Sequence, residues 1–120
     1  MATRYTITSG GNSLLDVTPA SAEYTSANLD SSLSMSDVYI EFFDAQGNAA
    51  TPTAGTVEVY GLPTGNTWIA AVGSPVNAKD VTRPVAKYTP PMLDGLTVQV
   101  RVRFVGVTGA ARASVVIYKR

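Results

Sequence analysis

The stretch Leu96-Thr97-Val98-Gln99-Val100-Arg101-Val102-Arg103-Phe104 decides the fold of this 120-residue chain. Apolar residues occupy every second position, and threonine, glutamine and arginine occupy the positions between them. Because successive side chains of a β-strand point to opposite sides, this alternation predicts a strand with one face in a core and one in water. Antiparallel sheets carry strands of this kind.

Shorter runs of the same type recur along the chain, separated by Gly, Pro and Asn. The predicted strands cover residues 4–8, 38–43, 51–53, 56–60, 67–72, 85–88, 96–104 and 113–118. A turn at residues 105–110 predicts that the last two strands form a hairpin. Seven to nine strands in a chain of this length predict an all-β fold, an antiparallel β-sandwich or a jelly roll.

The strand pattern is clear from residue 37 onwards, so we assign residues 37–120 to the sandwich domain. Residues 1–36 contain the first strand and a segment rich in Ser and Asn. A structureless loop of that length is unusual in a compact domain. The segment therefore either contains further strands around residues 14–17 and 23–29, or forms a docking arm that becomes ordered on a partner.

Composition excludes several classes of function. The sequence has no cysteine and no histidine, which excludes disulfides and mechanisms that need a thiolate or an imidazole. The formal net charge is zero, so no nucleic-acid partner is expected. No apolar run is long enough for a membrane span and no signal peptide is visible, so we expect synthesis in the cytoplasm and no membrane partner.

The charges are distributed unevenly along the chain. Residues 1–78 contain seven acids and one base, whereas residues 79–120 contain eight bases and two acids. Acidic strands of the first part can pair with basic strands of the second part inside one sheet. Alternatively, an acidic face of one copy meets a basic face of a neighbouring copy.

Few residues are candidates for catalysis. Glu41 and Glu58 are the carboxylates to consider for a glycosidase, because both lie on alternating strands beside aromatic residues. Exposed strand positions that face Arg101 and Arg103 explain the same pattern without catalysis. We therefore expect no enzyme activity and no catalytic residue.

Two other features of the sequence are candidate binding sites. The loop at residues 44–48, Asp-Ala-Gln-Gly-Asn, lacks the ligand spacing of an EF-hand and is interpreted as a tight turn, so no metal and no cofactor are predicted. Trp68 stands beside apolar residues, which predicts a place in the core. With Tyr39, Tyr60 and Tyr88 it could instead form a carbohydrate platform or an interface anchor.

Three segments resemble small β-structured proteins of tailed-bacteriophage particles. Residues 38–48 (VYIEFFDAQGN) and 51–59 (TPTAGTVEV) are similar to an opening made of an extended strand, a D-x-x-G-N turn and a T-x-G-T-V-x-V strand. Residues 96–110 are similar to a closing hairpin in which a regular strand ends in a V-T-G-A turn. The resemblance does not extend to residues 1–36.

The resemblance implies a non-enzymatic structural protein of the virion, made in the host cytoplasm. We expect a capsid decoration protein, a homo-oligomer that binds the major capsid protein and stabilises the assembled head. Residues 1–36 are the expected docking segment. A tail, neck or fibre component that binds tail proteins is the alternative, and a carbohydrate-binding module is the second alternative.

Overall fold

The computed structural model describes residues 3–17, 21–30, 32–33, 36–63, 67–71, 74–81, 86–88 and 97–120. Within these ranges the chain forms one short 3₁₀ helix, Ala78–Asp80, and ten β-strands, of which eight have three residues or more. No helix in this part of the chain could cross a membrane. The strands are β1 (Thr3–Thr6), β2 (Leu14–Asp16), β3 (Ser21–Thr25), β4 (Ser36–Phe43), β5 (Ala54–Leu62), β6 (Ile69–Ala70), β7 (Val76–Asn77), β8 (Ala86–Tyr88), β9 (Gln99–Thr108) and β10 (Arg112–Lys119).

The strands form two antiparallel sheets that face each other. The first sheet has the order β1-β10-β4-β8, and β2 also pairs with β10 beyond the end of β1. The second sheet has the order β3-β9-β5-β6, and β7 also pairs with β5. If β1/β2 and β6/β7 each count as one interrupted edge strand, the two sheets have the strand order of a jelly roll. The predicted all-β fold is confirmed, and the topology selects the jelly roll.

The core lies between the two sheets, and valine is its commonest residue. In β9, Val100, Val102 and Phe104 are fully buried, as the alternation predicts. Phe104 packs edge-on against Phe42 of β4 in the opposite sheet, with ring centroids 6.0 Å apart. Each such buried apolar side chain contributes about 1.5–3 kcal/mol relative to an exposed one, so the shared core is the main source of stability.

Residues 3–17 run alongside β10 as an edge strand that is interrupted once, by a tight turn between β1 and β2. Ser9 and Asn12 exchange two backbone hydrogen bonds of 3.0 Å each. Gly10 and Gly11 between them have φ of +59° and +83°, the two positive values that a type I′ turn requires. β2 and β3 overlap the two regions, residues 14–17 and 23–29, for which further strands were one of the two alternatives. The expected domain division between residues 36 and 37 falls inside β4.

The predicted hairpin between the last two strands is wrong. β9 belongs to the second sheet and β10 to the first, so the chain crosses between the sheets after Thr108. Thr53 N–H donates to the carbonyl of Thr108 (2.8 Å), whereas Ala111 N–H already donates to the carbonyl of Phe43 (2.9 Å). The alternation of apolar and polar residues indicates that a strand has one buried face, but it does not indicate to which sheet the strand belongs.

Two other predicted strands differ from the structure. Residues 51–53 form no strand, and only an isolated bridge joins Phe43 to Ala49 nearby. The strand expected at residues 67–72 is reduced to β6, because it is an edge strand that pairs only with the end of β5. Three residues of the predicted strands lie outside the described residues: Val72, Val85 and Leu96.

Gly55 forms a bulge where β5 begins to pair with β9. Its φ is +103°, and a Cβ there would lie 2.5 Å from the Cα of Val107. We expect Gly55→Ala to lower the free energy of unfolding by more than about 3 kcal/mol, because it adds a backbone clash to a conformation that only glycine adopts easily. Equilibrium urea denaturation measures the loss.

Gly10→Ala is the matched control. Gly10 also has positive φ, but no atom lies within 4 Å of an added Cβ, so this variant should lose only about 1–2 kcal/mol. Equal losses in the two variants would show that the approach of Gly55 to Val107 is not a constraint on the fold.

Candidate functional site

The two carboxylates considered for catalysis lie on opposite sides of the molecule. Glu41 is on the outer face of the first sheet and Glu58 is on the outer face of the second, because their neighbours along each strand are buried in the core. Packed sheets lie about 10 Å apart, and these side chains point away from each other. A glycosidase needs its two carboxyl groups about 5–9.5 Å apart across one cleft, so this pair cannot act on one glycosidic bond.

Asp44 organises a tight turn, as the sequence predicts. Its Oδ1 accepts hydrogen bonds from the backbone N–H groups of Gln46 (3.0 Å) and Asn48 (2.9 Å). Gly47 N–H donates to the carbonyl of Asp44 (3.1 Å). Both observations describe a side chain that closes its own loop. Among the described residues, no group of three or more acidic side chains could hold a metal ion.

Acidic and basic strands lie side by side within each sheet. Across the second sheet, Glu23 of β3 lies 3.9 Å from Arg101 of β9. Arg103 of β9 lies 4.0 Å from Glu58 of β5. In the first sheet, Arg120 donates to Asp37 through Nε (2.8 Å), and its Nη2 lies 2.8 Å from the same oxygen. Three acidic residues of the first part of the chain therefore pair with basic residues of the second part within the sheets, as the first of the two interpretations expects.

The outer face of the second sheet carries a cluster formed by Glu58, Tyr60, Trp68 and Arg101, which we call the Trp68 face. The guanidinium carbon of Arg101 lies 4.5 Å from the ring centre of Trp68 and 4.9 Å from that of Tyr60. Cation–π attraction holds the guanidinium between the two rings. The Tyr60 hydroxyl donates to Glu58 Oε1, and this hydrogen bond is the main cause that raises the pKa of Tyr60 above its ordinary value. The hydroxyl therefore stays protonated at neutral pH.

The prediction that Trp68 belongs to the core is wrong. Trp68 is half-buried and is absent from the core cluster, whose members lie between the sheets. It immediately precedes the short edge strand β6, where apolar neighbours along the chain do not indicate an inward side. Its contact with Arg101, distant in sequence, could not be inferred from local composition. The side chain of Tyr88 lies outside the described residues.

The outer face of the first sheet has an open groove of about 650 Å³, which we call the Tyr39 groove. Its walls come from β1, β4, β10 and the last residue of the chain. The rings of Tyr39 and Tyr118 meet edge to face in it, with centroids 5.5 Å apart and an angle of 88°. The lining residues are Arg4, Asp37, Tyr39, Glu41, Ser114, Val116, Tyr118 and Arg120. Tyr39 was a candidate for a carbohydrate platform or an interface anchor in the sequence analysis, but its neighbours in the groove could not be inferred from the sequence.

Lys119 is a buried cation that the sequence did not single out. It points inward from the end of β10 with 0 % of its surface exposed. Its Nζ has no hydrogen-bond partner among the described residues. Burial lowers the pKa of this ammonium group below its ordinary value, and the charge of Asp30 opposes that shift.

Comparisons with known proteins assign no family. No protein-family model and no curated protein matches the sequence. Among solved structures, the chain is similar to a carbohydrate-binding module specific for non-crystalline cellulose, CBM28. The sequence identity is 11 %, the TM-score is 0.40, and the match covers 98 % of this chain and 71 % of that one.

We expect Lys119→Met to raise the free energy of unfolding at neutral pH by about 1–3 kcal/mol, because it removes a buried donor that has no hydrogen-bond partner in the described part of the chain. The pH dependence should change as well. Since the folded pKa lies below the unfolded value of 10.5, the unfolded chain binds more protons in this window. The wild-type protein should therefore become more stable as pH rises from the folded pKa towards 10.5, relative to the variant.

Urea denaturation of both proteins across alkaline pH measures this difference. Tyrosine titration is common to both, so the difference between the two curves isolates Lys119. Parallel curves, with no gain at neutral pH, would contradict a buried and destabilised ammonium group.

Proposed function

We propose that this chain is a non-enzymatic structural protein of a bacteriophage virion, and that it decorates the assembled head. The resemblance of residues 37–120 to small β-structured virion proteins supports the proposal. The jelly roll supports it too, since viral capsid domains use this architecture. The position of Glu41 and Glu58 on opposite faces supports a role without catalysis.

The observation that carries the proposal is the Trp68 face. Tryptophan, tyrosine and arginine are the residue types that contribute most of the binding energy at protein interfaces. Here Trp68, Tyr60 and Arg101 lie together on the outer face of a sheet, where a partner can reach all three. We therefore assign docking to this face.

The same cluster is ordered before any partner arrives. Arg101 is held by two aromatic rings, and Glu23 lies 3.9 Å from its Nε. Tyr60 is tied to Glu58 by its hydroxyl. Ordering a long side chain on binding costs about 0.5–1.5 kcal/mol, so a cluster that is already ordered keeps more of its contact energy.

The expected docking segment, residues 1–36, is a less suitable partner surface than this face. Residues 3–6, 14–16 and 21–25 already use their backbone groups in the two sheets. An arm that becomes ordered on a partner would have to leave those pairings. Docking through a preformed face has no such cost.

The mechanism follows from linkage. A protein that binds the assembled shell, and not its separated subunits, adds its binding free energy to the stability of the shell. A homo-oligomer would engage several equivalent sites at once, so weak individual contacts would add up to stable attachment. A tail, neck or fibre component would use the same face on a tail protein.

We expect Trp68→Ala to fold and to lose binding. Trp68 lies outside the core, so the free energy of unfolding should fall by less than about 2 kcal/mol. Loss of a central aromatic anchor costs 2 kcal/mol or more, so the Kd for heads that lack this protein should rise by at least about 30-fold. Co-sedimentation of purified protein with such heads measures the Kd, and circular dichroism checks the fold.

Tyr39→Ala is the matched control, because it removes a half-exposed aromatic side chain from the opposite sheet. This variant should bind heads as the wild-type protein does. Wild-type affinity in Trp68→Ala, or no binding of the wild-type protein to heads, would contradict the proposal.

A further inference from the structure

We propose that the Tyr39 groove binds a neutral oligosaccharide built of pyranose rings. This inference goes beyond the proposed docking role, because the groove lies on the first sheet and the Trp68 face lies on the second. The two surfaces can therefore be occupied at the same time. A decoration protein with this site would attach the particle to glycans while its other face holds the head.

The aromatic residues supply the apolar part of such a site. Tyr39 and Tyr118 stand perpendicular to each other, so only one ring face of the pair is covered by the other ring. Both residues are half-buried, and Val116 beside them is also half-buried. The C–H groups of a pyranose ring carry small positive charges, which the negative face of an aromatic ring attracts.

Asp37 and Arg120 supply a fixed polar wall. The Asp37 side chain is 4 % exposed, whereas that of Arg120 is 45 % exposed. Asp37 Oδ2 holds Nε and Nη2 of the guanidinium, each at 2.8 Å. Arg120 is exposed, so its remaining nitrogen, Nη1, can donate to a ligand. A planar donor group held in this way can bind neighbouring hydroxyl oxygens with little loss of side-chain entropy.

A carboxylate at the other end complements this wall. Glu41 is exposed and can accept hydrogen bonds from sugar hydroxyls, while Arg4 adds further donors beside Tyr118. The charged lining groups are two arginines and two carboxylates, so their formal charges cancel. A balanced site gives no net attraction to an anion or a cation, and it favours a neutral ligand with many hydroxyl groups.

The size of the groove fits the same class of ligand. A volume of about 650 Å³ lies within the range of about 300–1,000 Å³ that is common for small-molecule sites. The groove runs across the outer face of a sheet and has open sides, so a short chain of sugar rings can extend beyond it. A second copy of this chain could also cover such a face, and the experiment distinguishes the two occupants.

The test is a titration of the ¹⁵N-labelled protein, followed by NMR, with maltotetraose, cellotetraose and chitotetraose. We expect at least one of them to cause saturable shifts at β4 and β10 around the groove, with a Kd of about 1 mM or lower. Tyr39→Ala should raise that Kd by at least about tenfold. Arg4→Ala should raise it severalfold, and this exposed residue keeps the test valid if Tyr39→Ala folds poorly.

Tyr60→Ala is the matched control, because it removes a tyrosine from the outer face of the second sheet and should leave the Kd unchanged. The proposal is overturned if none of the three probes causes saturable shifts, or if Tyr60→Ala weakens binding as much as Tyr39→Ala. It is also overturned if sedimentation shows a dimer that Tyr39→Ala dissociates, since a second copy would then occupy the groove.

Discussion

The packing of Phe104 against Phe42 joins the two sheets. The other features of the molecule depend on the core to which this contact belongs. Inward positions are apolar in both sheets apart from Ser36 and Lys119, so the strands present most of their other polar residues outward, together with Tyr39, Tyr60 and Tyr118. The bulge at Gly55 shifts the register between β5 and β9 by one residue, where Gly55 passes close to Val107. A shared core of this kind leaves two broad outer faces for recognition.

The two outer faces differ in chemistry although they are built in the same way. On the second sheet, ion pairs and the stacking of Arg101 between two rings hold the polar side chains in place. On the first sheet, the aromatic pair and the Asp37–Arg120 contact border an open groove. The first arrangement is suited to a flat protein surface. The second is suited to a ligand that enters between side chains.

The all-β class followed from the sequence because alternation depends only on which side of a strand is buried. The same reasoning failed at the connection after Thr108, since both β9 and β10 have a buried side whichever sheet they join. It also failed for Trp68, whose ring contacts Arg101 of the distant strand β9. The pairing of acidic with basic strands was predictable from the charge distribution, whereas the individual partners of Arg101 and Arg120 required the sheet register.

The central claim is that this chain covers the assembled head and docks through the Trp68 face. A cryo-electron microscopy map of purified particles tests it most directly, because the map shows both the location of the jelly roll and its orientation. The account predicts many copies over the capsid shell, with Trp68 and Arg101 towards the major capsid protein. Density confined to the tail or neck would contradict head decoration, and copies on the shell with the Trp68 face towards solvent would contradict the docking surface.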